Sequence, residues 1–283
     1  MIISIYGSRR QQVYKEQLQR LIRSLCLDGH TVYIDSKLYN HLDEMGVRLS
    51  CVSRTDGPIA KDSEMAISIG GDGTFLRTAA WVGDLEIPIL GVNTGHLGYL
   101  AGFLLDELIA DPGRYICQNP STDDRTLIEV TRPELPGCCY ALNEVAIAKE
   151  DSASMISAMT SIDGKTLADY RADGLIIATP TGSTAYNLSV GGPIVEPSAP
   201  VFVISPIAAH SLSMRPMVVG DSSIINIHVS GRGHSFRLTL DGRSMTMPME
   251  TCVSLRRAAF VTRIVRCEAT DFPEPLRRKL MFN

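Results

Sequence analysis

The chain reads as two domains: an α/β N-terminal domain and a mostly β, sandwich-like C-terminal domain. Three observations predict this. Over roughly the first hundred residues, short apolar runs alternate with helical periodicity, the signature of a parallel sheet wound by crossover helices. From about Arg125 helical periodicity fades, and short strands follow one another across tight turns. Glycine-rich loops follow two neighbouring apolar runs of the first half, where open α/β sheets place ligands. The expected boundaries are 1–110 for the first domain and 111–261 for the second, with the tail 262–283 returning to the first.

The elements follow in order. Met1 to Gly7 is a short apolar strand. Gln12 to Leu27 sets Leu18, Leu21, Ile22 and Leu25 at helical spacing and stops at Asp28-Gly29-His30. Thr31 to Ile34 is the second strand, so the chain opens as β-α-β with a right-handed crossover. Ser8-Arg9-Arg10 lies at the carboxyl end of the first strand and reads as a solvated loop. A helix over Lys37 to Gly46 and a strand over Ser50 to Ser53 come next. Met65 to Ile69 leads into Gly70-Gly71-Asp72-Gly73, Thr74 to Val82 is helical, and Ile87 to Val92 is a strand. Leu104 to Asp111 is helical. In the second domain, strands are expected over Thr126 to Thr131, Tyr140 to Ile147, Ser157 to Ile162, Thr166 to Tyr170 and Leu175 to Ala178. Others cover Val201 to Ile204, Ile224 to Val229, Phe236 to Leu240 and Val253 to Arg257. A short helix is expected after the proline-rich turn at Phe272 to Pro275.

Composition narrows the function classes. With 45% hydrophobic and 20% charged residues, the chain buries an ordinary core and is not disordered. A net charge of −4 leaves no basic footprint, so no nucleic-acid partner is expected. No apolar stretch approaches the roughly 20 residues of a membrane span, and the N-terminus turns polar too soon for a signal peptide. Cys26, Cys51, Cys117, Cys138, Cys139, Cys252 and Cys267 are odd in number and form no CxxC pair. Neither a disulfide framework nor a zinc site is indicated, each reads as a small buried apolar residue, and a cytoplasmic location follows. His30, His41, His228 and His234 read as structural, without a paired carboxylate, whereas His96 and His210 lie in loops near the proposed crevice. Met245 to Met249 reads as core or interface, and Trp81 as a packing residue.

Three stretches carry chemistry. In Gly70-Gly71-Asp72-Gly73-Thr74, glycines bring backbone N–H groups close to an anion, and the following helix aims its dipole at the same place. Gly70, Gly71, Gly73 and Thr74 thus read as a phosphate cradle. Asp72 beside phosphate is costly unless it handles a proton or a metal, so it reads as a base for a hydroxyl attacking a phosphoryl group. No GK[ST] follows, which excludes the Walker pattern. In Ala141-Leu142-Asn143-Glu144-Val145 a polar pair interrupts an apolar strand; the amide suits an adenine edge and the carboxylate ribose hydroxyls. The third stretch, Tyr170 to Pro193, runs from a buried strand into a Thr/Ser/Gly loop where Tyr186 offers a ring for stacking.

In this order and spacing, GGDGT, NTGHLGYLAGF, ALNE, DGLIIATPTGSTAYNLSVGGP and the terminal LRRKL resemble the NAD kinase family over residues 65 to 283. The resemblance implies an α/β nucleotide-binding domain and a β domain, with ATP-dependent phosphorylation of the adenosine ribose 2′-hydroxyl of NAD. It implies Asp72 as general base, Gly73 in the phosphate site, and Asn143 and Glu144 on the adenosine half. Arg171 and Asp173 would sit near the nicotinamide or a facing subunit. Thr184, Ala185, Tyr186, Asn187, Leu188 and Ser189 would cradle adenine and ribose. Asp241 and Arg243 match a more variable contact near the same ligand. Family members commonly carry His or Arg about ten residues after the Asn-Glu pair; this chain has Ser154 there. Mg²⁺ or another divalent ion would arrive with ATP, and the assembly would be a homodimer or homotetramer. The alternatives are a lipid kinase sharing GGDGT, or a catalytically silent NAD(H)-binding regulator.

Overall fold

In the computed structural model, which describes residues 1–7, 14–47, 49–95, 98–150, 154–266, 272 and 276–277, the chain opens with β1 (Ile2–Gly7), α1 (Lys15–Leu27) and β2 (Thr31–Asp35). It continues with α2 (Ser36–Glu44), β3 (Val52–Thr55), β4 (Met65–Ile69), α3 (Asp72–Val82) and β5 (Ile89–Asn93). Then come β6 (Phe103–Leu104), α4 (Leu105–Ala110) and α5 (Pro112–Tyr115). The five main strands are parallel in the order β3-β2-β1-β4-β5. The chain steps outward from β1 to one side, then returns to its other side with β4. The carboxyl ends of β1 and β4 therefore flank a topological switch point, where such sheets open a crevice for ligands.

Local chemistry explains the element bounds. On α1, Leu18, Leu21, Ile22 and Leu25 are all buried, as the spacing predicts. α2 starts at Ser36 because the Asp35 carboxylate accepts the Lys37 and Leu38 N–H groups at 3.1 and 3.3 Å, capping the first turn. All five residues of β4 and of β5 are buried, since parallel strands are covered on both faces. Trp81 packs on Tyr6 and donates its indole N–H to Gly57 O at 2.8 Å.

The rest of the chain is almost all strand: β7 (Thr122–Arg132), β8 (Tyr140–Ala141), β9 (Glu144–Lys149), β10 (Ile156–Ile162), β11 (Lys165–Ala172) and β12 (Gly174–Ala178). A short helical segment, the 3-10 turn Thr181–Thr184 followed by α6 (Tyr186–Ser189), precedes β13 (Val201–Ile207), β14 (Met217–Gly220), β15 (Ile225–Gly231), β16 (Ser235–Leu240), β17 (Arg243–Pro248) and β18 (Cys252–Val265). The chain divides into one unit of Met1–Asp124 with the segment from Thr262, and a second of Arg125–Val261. Ile116 lies in the core of the first. In the second, the antiparallel sheet β14-β13-β12-β9-β16-β17 faces the run β11-β10-β15-β18. Val145, Ile147, Leu175 and Ile177 from the first layer meet Ile156, Ala158, Ile225 and Ile227 from the other in one core, the sandwich expected. Ala146, Ile176, Ala178 and Val203 point the other way, beneath Val190 and Val195. This double cover is why β12 reads as an unbroken apolar run.

Several expectations need correction. The strand expected over Tyr140 to Ile147 breaks at Leu142-Asn143, because a carboxylate takes the N–H groups there. The strand expected to end at Arg257 runs on to Val265, where Ile264 pairs with Ile89 of β5. The methionines at 245, 247 and 249 do pack on the core as expected, from β17 and the residues after it, alternating with outward Ser244, Thr246 and Pro248. No cysteine among the described residues is fully buried: Cys51, Cys117 and Cys252 are exposed and the others intermediate. Cys252 is exposed because Val253 and Leu255 take the inward positions of β18. The loop at Ser8-Arg9-Arg10, His96, Cys267 and most of the expected tail helix lie outside the described residues. Among the described residues, no helix is long and apolar enough to cross a membrane.

Candidate active site

In the first unit, β4 delivers the chain at the switch point, and Gly70 and Gly71 turn it into α3, whose first residue is Asp72. The Asp72 carboxylate is held by the loop after β5. Its Oδ2 accepts the Tyr99 N–H at 2.9 Å, and its Oδ1 those of Leu100 and Ala101 at 3.0 and 3.2 Å. β4 and β5 are parallel neighbours, which brings the two glycine loops together. The loop approaches closely because residue 98 is glycine; a Cβ there would overlap the Asp72 carboxylate. Gly98→Ala should therefore displace the carboxylate and destabilise the protein by about 1–3 kcal/mol, read from urea midpoints; an unchanged midpoint would disprove this packing. Asn93 Oδ1 braces the same loop by accepting the Gly95 N–H at 2.6 Å.

In the second unit the organising group is Asp241. Its Oδ2 accepts the Leu142 N–H at 2.6 Å, and its Oδ1 those of Asn143 and Glu144 at 2.8 and 3.2 Å. Burial pushes the Asp241 carboxyl up from its ordinary range, and the three N–H groups and Arg243 draw it back down. These bonds break the strand and set out the Asn143 and Glu144 side chains. Thr179 ties them to the small-residue loop: its hydroxyl donates to Leu142 O at 2.6 Å and accepts the Gly182 N–H at 3.1 Å. A Cβ at position 182 would overlap the Asn143 carbonyl, so only glycine lets the loop pass. Asn143 Oδ1 and Glu144 Oε2 are buried without a hydrogen-bond partner among the described residues. Such atoms are costly unless a ligand meets them. Burial first, and then Asp241, pushes the Glu144 carboxyl up to about 7, against the Tyr186 backbone N–H that donates to it. The Tyr186 ring is 44% exposed, free to stack.

The other expected residues divide. Thr184, Ala185, Leu188 and Ser189 lie in the same turn and short helix. Asn187 is fully buried: its amide donates to Ser183 O and Pro193 O, and its carbonyl accepts the Ser205 hydroxyl at 2.6 Å. It shapes the loop from inside. Arg243 donates to the carbonyls of Leu240, Cys138 and Tyr140, so its guanidinium fastens backbone. Arg171 pairs with Asp169 at 3.2 Å, and Asp173 with Lys149 at 2.6 Å. Both stand near Gly174, opposite Ala148, at the far end of β9 from Glu144, which faces Ala178; that separation is about 13 Å along the strand. His210 joins that end through its N–H to Arg171 O. Ser154 is partly buried just before β10. Thr179, and Arg125, which donates to the Thr181 hydroxyl at 3.3 Å, were not singled out in the sequence. The Thr/Ser/Gly composition around 179–184 was the available signal.

An α/β unit with a carboxylate at its glycine turn, and a β sandwich with a buried amide–carboxylate pair unpartnered among the described residues, define a two-unit protein of the nucleotide-handling class. Residues 7–111 match the ATP-NAD kinase N-terminal domain and residues 142–267 the ATP-NAD kinase C-terminal domain. The chain belongs to the ATP-NAD kinase family. It is 40% identical over 280 residues to the NAD kinase of Porphyromonas gingivalis W83, covering 99% of this chain and 97% of that one. To the NAD kinase of Bacteroides fragilis it is 45% identical over 223 residues, 78% and 77% of the two chains. Its fold is similar to that of yeast NADH kinase complexed with NADH, with a TM-score of 0.87 at 24% identity, covering 100% of this chain and 88% of that one.

Proposed function

We propose that the protein is an NAD kinase that transfers the terminal phosphoryl group of ATP to the adenosine ribose 2′-hydroxyl of NAD, giving NADP and ADP. The observation that carries the acceptor is the unpartnered pair Asn143 Oδ1 and Glu144 Oε2. The amide oxygen accepts from the exocyclic amine of adenine and the carboxylate from ribose hydroxyls, with Tyr186 stacked on the base. Asp72 takes the 2′-hydroxyl proton as the oxygen–phosphorus bond forms and the bond to the ADP oxygen breaks. Backbone N–H groups of Gly71 and Gly73, at the turn into α3, receive the phosphates; of the other expected cradle residues, Gly70 N–H donates to Val92 O at 2.9 Å and Thr74 N–H to Gly71 O at 2.8 Å. A divalent ion enters as part of the Mg-ATP substrate and offsets the charge that phosphate and Asp72 would otherwise oppose. The proposed assembly is a homodimer or homotetramer, and the proposed location the cytoplasm.

The comparisons favour neither the lipid-kinase nor the silent-regulator alternative. An acceptor competition separates all three: Mg-ATP is supplied with NAD and, separately, with diacylglycerol and sphingosine in micelles. The proposal expects NADP and no lipid phosphate. Lipid phosphate alone, or NAD binding without turnover, would replace it.

Glu144 sets a pH dependence. Its carboxyl is raised in the folded protein to about 7, so the stability it contributes is full in acid and is lost as pH rises through that value. Ribose hydroxyls donate to the ionised form. NAD affinity should therefore rise between pH 6 and 8, and Glu144→Gln should flatten the profile, measured by calorimetry. A wild-type affinity independent of pH would remove Glu144 from the ribose contact.

A further inference from the structure

His228 was expected to lack a carboxylate partner; it has one, and a cysteine as well. On β15 it stands directly across from Cys252 of β18. The Cys252 thiol is 3.4 Å from His228 Nδ1, and His228 Nε2 is 2.9 Å from Glu250 Oε2. A ring proton on Nε2 would donate to Glu250 and leave the Nδ1 lone pair facing the thiol. Cross-strand pairing fixes the Cys–His contact. The turn carrying Glu250 is clipped to β15: Glu250 N–H donates to Val229 O at 2.8 Å, and Val229 N–H to Thr251 O at 3.2 Å. Glu250 is itself held at φ +66°, a conformation that non-glycine residues adopt at a cost. All three side chains reach solvent, His228 at 43% and Glu250 at 65% exposure. None belongs to the proposed nucleotide site.

We propose that Cys252, with His228 as base and Glu250 orienting it, is a thiol-modification site that exchanges with low-molecular-weight disulfides. The imidazole takes the thiol proton, and the imidazolium is paired to Glu250. The thiolate attacks one sulfur of the small disulfide. A new S–S bond forms on Cys252 as the old one breaks; Cys252 is oxidised, and the departing thiolate is the reduced half, which collects the proton.

Cys117 supplies an internal reference, exposed but with no imidazole partner among the described residues. Trypsin releases Cys252 in residues 244–256 and Cys117 in residues 115–125, each with a single cysteine. The full chain is treated at pH 7 with substoichiometric DTNB, and the two peptides are quantified by mass spectrometry. Cys252 should form the mixed disulfide about tenfold faster than Cys117. His228→Asn should bring Cys252 to the Cys117 rate, and Glu250→Gln should slow it by a smaller factor, with NADP formation retained as the folding control. A Cys252 rate no greater than that of Cys117, or one undiminished in His228→Asn, overturns the proposal.

Discussion

Asp72→Asn should lower the rate of NADP formation by about 10³-fold, the scale of a lost general base, with NAD affinity changed little. The amide cannot take the 2′-hydroxyl proton. It also fits its cradle imperfectly. One oxygen can still accept from Leu100 and Ala101, but the NH₂ would face the Tyr99 N–H. A small loss of stability should accompany the loss of activity, about 1 kcal/mol for a donor left facing a donor. Steady-state kinetics and urea unfolding on the same sample separate the two effects. If NAD affinity fell as far as turnover, Asp72 would be a binding residue.

The second large effect is expected at Asp241. Alanine there leaves the N–H groups of Leu142, Asn143 and Glu144 without their acceptor. Burying unpaired donors costs about 1–3 kcal/mol each, offset in part by removing a carboxylate that burial already disfavours. The net loss should be about 2 kcal/mol or more, with NAD affinity down more than about tenfold as Asn143 and Glu144 lose their setting. Asp241→Asn should lie between, since one oxygen can still accept from Asn143 and Glu144. Because Asp241 also helps to raise Glu144, the pH midpoint of any residual NAD binding should move down in the alanine variant. A wild-type urea midpoint for Asp241→Ala would show that the clamp does not matter.

These two carboxylates also show how far the sequence could be read. The glycine turn, Asp72 and the Asn143-Glu144 pair were visible because each breaks a local pattern: glycines at a strand end, and polar residues in an apolar run. What holds them was not visible. Asp72 is gripped by a loop 27 to 29 residues later, and the Asn-Glu pair by a carboxylate nearly a hundred residues away. Only the sheet pairings create such contacts. Asn187 shows the converse. A polar residue inside a candidate ligand loop looks the same in sequence whether it meets ligand or protein, and its amide is committed to Ser183, Pro193 and Ser205. The α/β and β textures were legible because hydrophobic periodicity is local. The reach of β18 to Val265 was not, because its final residues owe their strand character to β5.

The most direct test is the position of the new phosphate and its dependence on Asp72. Wild-type protein and Asp72→Asn are incubated with Mg-ATP and NAD, and the product is resolved against authentic 2′- and 3′-phosphorylated standards. NAD phosphorylated at the adenosine ribose 2′-hydroxyl, which is NADP, is expected from the wild type and almost none from the variant. No NADP from the wild type, phosphate at another hydroxyl, or undiminished NADP from Asp72→Asn would contradict this expectation.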